Sequence, residues 1–557
     1  MCGIVGYTGP RDVSPILLDG LARLEYRGYD SAGIAVRVAD GTIQIRKTQG
    51  KLKKLVDSLN GDTPRGVLGI GHTRWATHGA PNDMNAHPHT DCTGNLALVH
   101  NGIVENYAEL KSELAAHGHR FGSETDTEVI AHLIESELGD RTGSAVALID
   151  ATRRALARLR GAYSIVLMDA RVPDLLIGAR HFSPLIVGLG EGENLLASDI
   201  PALLPHTRKT MLVEDGEVVA LTPDTVRLYK LDGEPVERDP LFITWDVQVA
   251  EKGGYPHFFI KEIHEQPSAL ANALRGRVEP GALHLPELDT LDLERVERIS
   301  VLACGSSYHA GLVGKLALEQ WARIPVEVAI ASEYRYASPV IDEHTLAILV
   351  SQSGETADTL ACFRLARQAK AQTLAVTNVV GSSVTRGADA VLYLRVGPEI
   401  GVLATKTFSS QVLLLQTLAL ALAERRGTQR ADEIQARRQE LLRVPDLVEA
   451  ALGTENEIQR LAEKIWDRRS CFFIGRGFGF PAALEGALKL KEVSYLHAEA
   501  YAAGELKHGP IAMLDPDMPV IAIATQAATH DKMISNIQEV RARQAPVIAV
   551  VSEGDTV

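Results

Sequence analysis

Residues 345–368 run TLAILVSQSGETADTLACFRLARQ, an uninterrupted apolar segment followed by a glycine-containing loop and a helical pattern. Continuous apolar strands that lead into helices are typical of parallel sheets covered on both faces. The same order returns throughout the chain after about residue 240, which predicts an α/β second half. The other apolar segments are ISVLA (299–303), TLAVT (373–377), CFFIG (471–475), VIAIAT (520–525) and VIAVV (547–551).

A charge-rich helical stretch, residues 424–467, divides this half into two series. Each series opens with a strand, a glycine-containing loop and a helix, LACGSSYHAGLVGKLAL (302–318) and FIGRGFGFPAALEGALKL (473–490). The shared order fits an internal duplication as well as two unrelated βα units. We predict a lead-in over residues 241–290, a first lobe over 291–430, and a helical connector with a second lobe over 431–557.

Residues 1–240 have a different pattern, in which short strand-like segments joined by Gly or Asp turns outnumber the helices. Such turns favour antiparallel pairing and an α+β domain. Residues 237–256 are the predicted linker to the second half. Helical periodicity is clearest at residues 14–25, 106–117, 127–138 and 144–159.

The composition is that of a soluble protein of several domains: 557 residues, 45% of them hydrophobic and 23% charged. A net charge of −14 disfavours partners bound by bulk electrostatics, so we expect no nucleic acid and no membrane partner. The most apolar stretch, residues 412–423, is too short to span a bilayer and is predicted to be a buried helix.

Five cysteines without CxxC spacing predict reduced thiols in a cytoplasmic protein. The N-terminal MCGIVGYTGP lacks the features of a signal peptide, so the fold is expected to start almost at once. Removal of Met1 would leave the Cys2 thiol beside a free α-amine, whose pKa near 8 suits it to act as general base for that thiol. The alternative interpretation is that Cys2 is only a small residue after Met1 and has no catalytic role.

Four polar motifs follow Cys2: HTRWATHG (72–79), NAHPH (85–89), HNG (100–102) and ETDTE (124–128). If a thiolate attacks a carboxamide, the Asn101 side chain and the Gly102 N–H could stabilise the oxyanion. Arg74 suits the carboxylate of an amino-acid substrate, and Asp126 suits its ammonium group. A metal cluster is the competing interpretation, but its spacing fits no familiar motif, so no metal is predicted. The residues of that competing cluster are His72, His78, His87, His89, Cys92 and His100.

With CGIVGY (2–7), RLEYRGYDSAG (23–33), HNGIVEN (100–106) and SETDTEVIAH (123–132), these motifs resemble the glutaminase domain of class II glutamine amidotransferases. The resemblance implies a four-layer αββα fold of the N-terminal-nucleophile type. It implies that Cys2 is the nucleophile, that Asn101 and Gly102 form the oxyanion hole, and that Trp75 gates an ammonia channel. The glutamine pocket would be lined by Arg74, Thr77, His78, Gly102 and Asp126.

Two loops of the second half, Cys304–Ser307 and Ser351–Thr356, follow apolar strands and open helices. Small hydroxyl residues at a helix N-terminus can hold a phosphate, although an ordinary capped turn has the same appearance. Neither loop has the GxxxxGK[ST] pattern, and GRGFGF (475–480) lacks the spacing of a dinucleotide site, so nucleotide binding is disfavoured. CGSS and SQSGET resemble the sugar isomerase (SIS) family. That resemblance implies that Ser306 lies near the sugar and that the phosphate ligands are Ser307, Ser351, Gln352, Ser353 and Thr356.

Residues 483–510, ALEGALKLKEVSYLHAEAYAAGELKHGP, place Glu485, Lys489 and Glu492 on one helical face. A solvated ion-pair stripe is the common explanation of such spacing. The whole segment, however, resembles isomerizing aminotransferases that act on L-glutamine and D-fructose 6-phosphate. In that family the residue matching Glu492 moves a proton between sugar carbons, the one matching Lys489 assists, and the one matching His508 helps to open the ring, shared across a homodimer.

The expected reaction transfers the glutamine nitrogen to D-fructose 6-phosphate, giving D-glucosamine 6-phosphate and L-glutamate, the first step towards UDP-N-acetylglucosamine. No cofactor is expected, and pyridoxal phosphate in particular is not. The sequence stops at VVSEGDTV without the family's C-terminal tail and its Schiff-base lysine, so these 557 residues are expected to retain glutaminase activity with weak or absent synthase activity. The alternatives are another class II amidotransferase, such as the phosphoribosylamine-forming one, and a phosphosugar-sensing SIS protein.

Overall fold

An antiparallel β-sandwich dominates the first of two units, residues 1–251. The structure, a computed structural model, describes residues 2–243 and 252–555. Part of the predicted linker over 237–256, residues 244–251, lies outside the described residues.

The first unit has the strands β1 (Gly3–Thr8), β2 (Ser31–Val38), β3 (Ile43–Gln49), β4 (Gly66–Arg74), β5 (His89–Thr90), β6 (Leu96–Val104), β7 (Gly161–Asp169), β8 (Leu176–His181), β9 (Ile186–Leu189), β10 (Asn194–Ala197), β11 (Lys209–Leu212), β12 (Glu217–Leu221), β13 (Val226–Lys230), β14 (Pro235–Val236) and β15 (Leu241–Phe242). Its α-helices are α1 (Val13–Arg23), α2 (Leu52–Leu59), α3 (Tyr107–Ala116), α4 (Thr127–Leu138) and α5 (Ala145–Ala157).

The strands form two sheets, in the orders β15-β11-β9-β10-β1-β4-β2-β3 and β14-β13-β12-β8-β7-β6-β5. Buried side chains of both sheets meet in one core, where Ile4 and Ile70 of the first sheet join Val99 and Val166 of the second. Helix α1 packs against β1 and β4 on one outer face, and α4 packs against β6 on the other. The predicted αββα arrangement is therefore confirmed.

The second unit, residues 252–557, has the strands β16 (Arg298–Ala303), β17 (Val326–Ile330), β18 (Thr345–Val350), β19 (Gln372–Thr377), β20 (Ala390–Tyr393), β21 (Ser470–Gly475), β22 (His497–Ala502), β23 (Val520–Ile523) and β24 (Val547–Val550). Its α-helices are α6 (Phe258–His264), α7 (Gln266–Leu274), α8 (Gly305–Ala317), α9 (Ala331–Tyr334), α10 (Ala357–Gln368), α11 (Lys406–Arg426), α12 (Ala431–Leu452), α13 (Glu455–Ala462), α14 (Gly479–Ser494) and α15 (His530–Arg541).

Two parallel sheets, β17-β16-β18-β19-β20 and β22-β21-β23-β24, confirm the α/β prediction. Both sheets start from an inner strand, β16 or β21, and place the next strand on one side and the later strands on the other. The charge-rich stretch forms α12 and α13, between the two sheets in the chain.

Helix α11 contains the apolar stretch 412–423. It is long and apolar enough to cross a membrane by length and composition alone, but 72% of its apolar window is buried inside the protein. Leu414, Leu418 and Leu422 belong to the core that also contains β16 and β18. The prediction of a buried helix is confirmed.

Candidate active sites

Cys2 immediately precedes β1, and the sheet places it beside the last residues of β4. Gly3 pairs with Thr73 in the antiparallel register, so Cys2 is a neighbour of Arg74 and Trp75. The backbone N–H of Trp75 donates a hydrogen bond to Cys2 Sγ at 3.2 Å. Burial raises the pKa of the Cys2 thiol, while this hydrogen bond and the positive charge of Arg74 act in the opposite direction. The thiol is therefore favoured at rest, and attack requires a base.

The loop before β2 packs against the segment that follows β4 and forms hydrogen bonds with it. A Cβ on Gly28 would lie 2.6 Å from the carbonyl carbon of Arg74, so only glycine fits at this approach. The backbone N–H of Asp30 donates to the Arg74 carbonyl at 2.9 Å, and the Asp30 carboxylate accepts from the N–H of Ala76 at 2.8 Å. Nε of Arg27 donates to the Cys2 carbonyl at 3.1 Å. These positioning residues fall within the quoted RLEYRGYDSAG motif, but no role was predicted for them.

Arg74 has a buried donor that pairs with none of the residues that the structure describes. The residue is 3% exposed, and its Nη2 donates to the carbonyls of His78 and Gly79. In the part of the chain that the structure describes, Nη1 has no hydrogen-bond partner. A buried guanidinium N–H without a partner is costly, so the geometry favours an anionic ligand there.

Asp126 lies close enough to Arg74 for the two charges to interact. Asp126 is the residue before α4, it is buried, and its carboxylate accepts a hydrogen bond of 2.8 Å from the N–H of Val104. A cation site and an anion site therefore lie near each other, as recognition of an amino acid requires.

Asn101 is held between His72 and Cys2. Burial lowers the pKa of His72 to about 3, so its imidazole is neutral at pH 7. Nε2 of His72 lies 3.0 Å from Asn101 Oδ1 and donates to it, and Asn101 Nδ2 donates to the Cys2 carbonyl at 2.8 Å. This chain of hydrogen bonds fixes which end of the Asn101 amide faces the nucleophile. His72 was predicted only as a member of the competing metal cluster.

The remaining predicted residues of this unit surround that centre. Gly102 has a φ of +143°, and a Cβ there would lie 1.9 Å from the Ala162 carbonyl oxygen, so the position requires glycine. Thr77 is exposed and His78 is half-buried, in the loop after β4. The exposed Trp75 ring packs edge-on against Tyr29, with ring centroids 5.4 Å apart.

In the second unit, both predicted phosphate loops begin at the same level of the first parallel sheet. Ala303, the last residue of β16, pairs with Val350, the last residue of β18. Ser306 and Ser307 lie in the first turn of α8, and the Ser351–Thr356 loop leads into α10. Ligands of α/β proteins bind at such carboxyl ends.

The Ser351–Thr356 loop is closed by its own side chains. The hydroxyls of Ser351 and Thr356 are 2.9 Å apart, and Ser351 Oγ also accepts from the N–H of Gly354 at 3.1 Å. Ser353 Oγ accepts from the N–H of Glu355 at 3.2 Å, and the Gln352 carbonyl accepts from the N–H of Asn378 at 3.1 Å. The hydroxyl groups that would face a phosphate are therefore already ordered.

Side chains of helix α14, in the second lobe, contact side chains near the N-terminus of α8. Ser306 Oγ donates to Glu485 at 2.8 Å, and His309 Nδ1 lies 2.8 Å from the other oxygen of the same carboxylate. Lys489 Nζ donates to Ser306 Oγ at 3.1 Å and pairs with Glu492 at 2.6 Å. Glu485 is 6% exposed, so a solvated ion-pair stripe is the wrong explanation for this helical face.

Glu485 stays ionised in this cluster. Burial by itself raises the pKa of Glu485, but the hydrogen bond from His309 and the charge of Lys489 outweigh it and leave that pKa below its usual value. Neither Glu485 nor His309 was predicted as a site residue. The spacing of Glu485 from Lys489 was visible in the sequence, whereas nothing in the sequence indicated His309.

His508 lies outside α14, in the segment that follows β22. It ends a 3-10 helix, Ala503–His508, and is exposed. Over residues 252–555, no hydrogen bond or ion pair joins its side chain to Lys489 or Glu492.

Comparisons with known proteins match both units to described families. The family described as "Glutamine amidotransferase domain" matches residues 72–205, and the family described as "SIS domain" matches residues 292–421 and 464–557. The repeated match confirms two SIS lobes. The glutamine–fructose-6-phosphate aminotransferase (isomerizing) of Thermus thermophilus is 52% identical over 100% of this chain and 91% of its own length, and that of Clostridium tetani is 49% identical over 100% and 90%. The solved C-terminal domain of glucosamine-fructose-6-phosphate aminotransferase from Francisella tularensis covers 54% of this chain and 85% of its own, with 39% identity and a TM-score of 0.53.

Proposed function

This chain belongs to the family of isomerizing glutamine–fructose-6-phosphate aminotransferases, and we propose that its two units divide that reaction between them. The enzyme transfers the amide nitrogen of L-glutamine to D-fructose 6-phosphate and isomerises the product to D-glucosamine 6-phosphate, leaving L-glutamate. No pyridoxal phosphate takes part. This is the first step towards UDP-N-acetylglucosamine.

In the first unit, Cys2 Sγ attacks the amide carbon of glutamine. The α-amine that is freed when Met1 is removed accepts the thiol proton and passes it to the departing nitrogen, so ammonia leaves and a thioester forms. Water then cleaves the thioester to give glutamate. Hydrogen bonding of Asn101 Nδ2 to Cys2 supports its role in the oxyanion hole, because a carboxamide nitrogen carries a second hydrogen for the developing charge.

Substrate recognition in this unit is assigned to Arg74 and Asp126. The unpartnered Nη1 of Arg74 would bind the glutamine carboxylate, and Asp126 would bind the ammonium group. Thr77, His78 and Gly102 would complete the pocket wall. Trp75, next to the thiol, is the proposed gate for ammonia.

In the second unit, the sugar phosphate is assigned to the two hydroxyl-lined loops. Ser351, Gln352, Ser353 and Thr356 would bind it from one loop, and Ser307 from the other. Ser306 would lie near the sugar. Glu492 would carry a proton from C1 to C2 of the ketose imine, and its ion pair with Lys489 places that lysine beside the carboxylate.

We propose a homodimer and a cytoplasmic location for the protein. The exposed position of His508 supports the homodimer. A histidine that opens the sugar ring must reach the sugar, and a second subunit could supply that histidine. The five free cysteines support the cytoplasmic location.

The joining of α8 to α14 by Ser306, Glu485 and Lys489 is the observation that carries the phosphosugar assignment. Its test is the choice of acceptor. In the full-length natural protein, glutamine-dependent amination should proceed with fructose 6-phosphate and fail with phosphoribosyl pyrophosphate. The opposite preference would favour the phosphoribosylamine-forming reaction.

A further inference from the structure

A second group of chemistry-bearing side chains lies in the first unit, apart from Cys2. It consists of Cys92, His119, His132 and Glu135, and one potential ligand atom from each of them lies within 4.8 Å of the others. Of the six residues in the competing metal cluster of the sequence, only Cys92 belongs to it. We call it the Cys92 cluster, and we propose that it binds one zinc ion as a structural site with four protein ligands.

The separations of the donor atoms fit a tetrahedral ion. Cys92 Sγ lies 3.5 Å from His132 Nδ1 and 3.6 Å from His119 Nδ1. Two corners of a zinc tetrahedron, with sulfur at about 2.3 Å and nitrogen at about 2.0 Å from the metal, lie roughly 3.5 Å apart. Glu135 Oε2 lies 2.9 Å from His119 Nδ1 and 3.1 Å from His132 Nδ1, slightly closer than metal-bound atoms and typical of hydrogen bonds. A small outward movement of the carboxylate would complete the geometry.

The surroundings of His132 fit a metal-bound imidazole. Its Nε2 is buried without a hydrogen-bond partner among the described residues, and it lies 3.7 Å from Glu128 Oε1. When Nδ1 binds a metal, the ring proton resides on Nε2, where it would face the Glu128 carboxylate. A carboxylate behind a histidine ligand is the usual means of fixing its tautomer.

Three separate parts of the chain supply the ligands. Cys92 lies in the turn between β5 and β6, His119 follows α3, and His132 and Glu135 lie three residues apart on α4. Cys92 is exposed, so an ion can reach the cluster from solvent. Binding would release the Cys92 thiol proton to water and clamp α4, whose preceding residue is Asp126. Mixed sulfur and nitrogen ligands in tetrahedral array favour zinc over magnesium or calcium.

Metal titration of the full-length protein tests this inference. The metal-stripped protein should bind one equivalent of Zn²⁺, and Co²⁺ in its place should give the absorption of a tetrahedral thiolate complex. Cys92→Ala and Glu135→Gln should each weaken Zn²⁺ binding about 100-fold or more, whereas Cys2→Ala, which removes another thiol, should leave it unchanged. A chelator should lower the unfolding temperature of the wild-type protein and leave that of Cys92→Ala unchanged.

Cys92→Ala alters an exposed turn, so it should fold, and circular dichroism would check this. Zn²⁺ binding with equal affinity to wild type and Cys92→Ala, or binding lost in Cys2→Ala alone, would overturn the proposal. Wild-type protein that binds no Zn²⁺ at micromolar concentration would also overturn it. None of these results bears on the proposed aminotransferase reaction.

Discussion

Ser306 donates a hydrogen bond of 2.8 Å to Glu485, and this contact joins the first helix of one SIS lobe to the long helix of the other. Lys489 donates to the same Ser306 hydroxyl at 3.1 Å. The proposed sugar site would therefore be built from both lobes, with the proposed phosphate loops on the first and the proposed acid–base residues on the second.

Removing the negative charge of Glu485 should loosen this junction. Glu485→Gln keeps a hydrogen-bond acceptor for Ser306 but leaves Lys489 with only the more exposed Glu492 as a counter-charge, so fructose 6-phosphate affinity should fall about tenfold. Calorimetry would measure it, and Glu485→Asp should restore part of the loss. Glu463→Gln, at an exposed site, is the control. Unchanged affinity in Glu485→Gln would rule out a positioning role for Glu485.

The loop hydroxyls should contribute specifically to phosphate binding. Ser351→Ala removes the side chain that accepts from the Gly354 N–H and contacts Thr356, so the loop should lose its order and fructose 6-phosphate should bind at least tenfold more weakly. Binding of unphosphorylated fructose, which is weak in any case, should change little. Ser268→Ala, an exposed serine on α7, is the matched control. Equal losses for the phosphorylated and unphosphorylated sugar would contradict the phosphate assignment.

Arg74 should act through the fork geometry of its guanidinium and not through charge alone. Arg74→Lys keeps the charge but cannot hold the His78 and Gly79 carbonyls and a carboxylate together, so the KM for glutamine should rise tenfold or more. Glutaminase kinetics without sugar would measure this. The exposed Arg65→Lys should behave as wild type. A KM that stays unchanged in Arg74→Lys would place the glutamine carboxylate elsewhere.

His72 should make the first unit sensitive to acid. Its folded pKa of about 3 lies below the unfolded value near 6.5, so between those values the unfolded chain binds more protons. Stability should therefore fall as the pH falls through this window. Urea unfolding would measure the free energy of unfolding at about pH 7 and about pH 5. The difference between the two values should be smaller for His72→Gln than for the wild type, because Gln retains an N–H donor for Asn101 and cannot titrate. The exposed His117→Gln should show the wild-type difference, and an equal difference in all three proteins would contradict the assignment.

Local patterns were sufficient to predict the parallel strands of the second unit and individual helices, whereas the αββα layers of the first unit were implied by the family resemblance. The uninterrupted apolar segments before Cys304 and Ser351 predicted parallel strands, and both strands are buried in the first parallel sheet. Helix α4 occupies the predicted range 127–138. These predictions succeeded because burial on two faces and helical periodicity depend on residues adjacent in sequence.

Contacts between distant segments could not be predicted in the same way. His309 and Glu485 are 176 residues apart in the chain, and only the packing of α8 against α14 brings them together. Cys92 and His132 likewise meet through the placement of α4 beside the β5–β6 turn. A polar side chain shows its partner only after the strands and helices have been placed, so pairs of this kind escape sequence patterns.

Nitrogen released at Cys2 should reach the proposed phosphosugar site of the same protein. In the most direct measurement, the full-length protein is incubated with fructose 6-phosphate and with glutamine that carries ¹⁵N in its amide. Mass spectrometry then determines whether the amino sugar product contains ¹⁵N. The wild-type protein should yield ¹⁵N-labelled glucosamine 6-phosphate, and Cys2→Ala should yield none while still binding fructose 6-phosphate. Labelled product from Cys2→Ala, or unlabelled product from the wild type, would contradict this prediction.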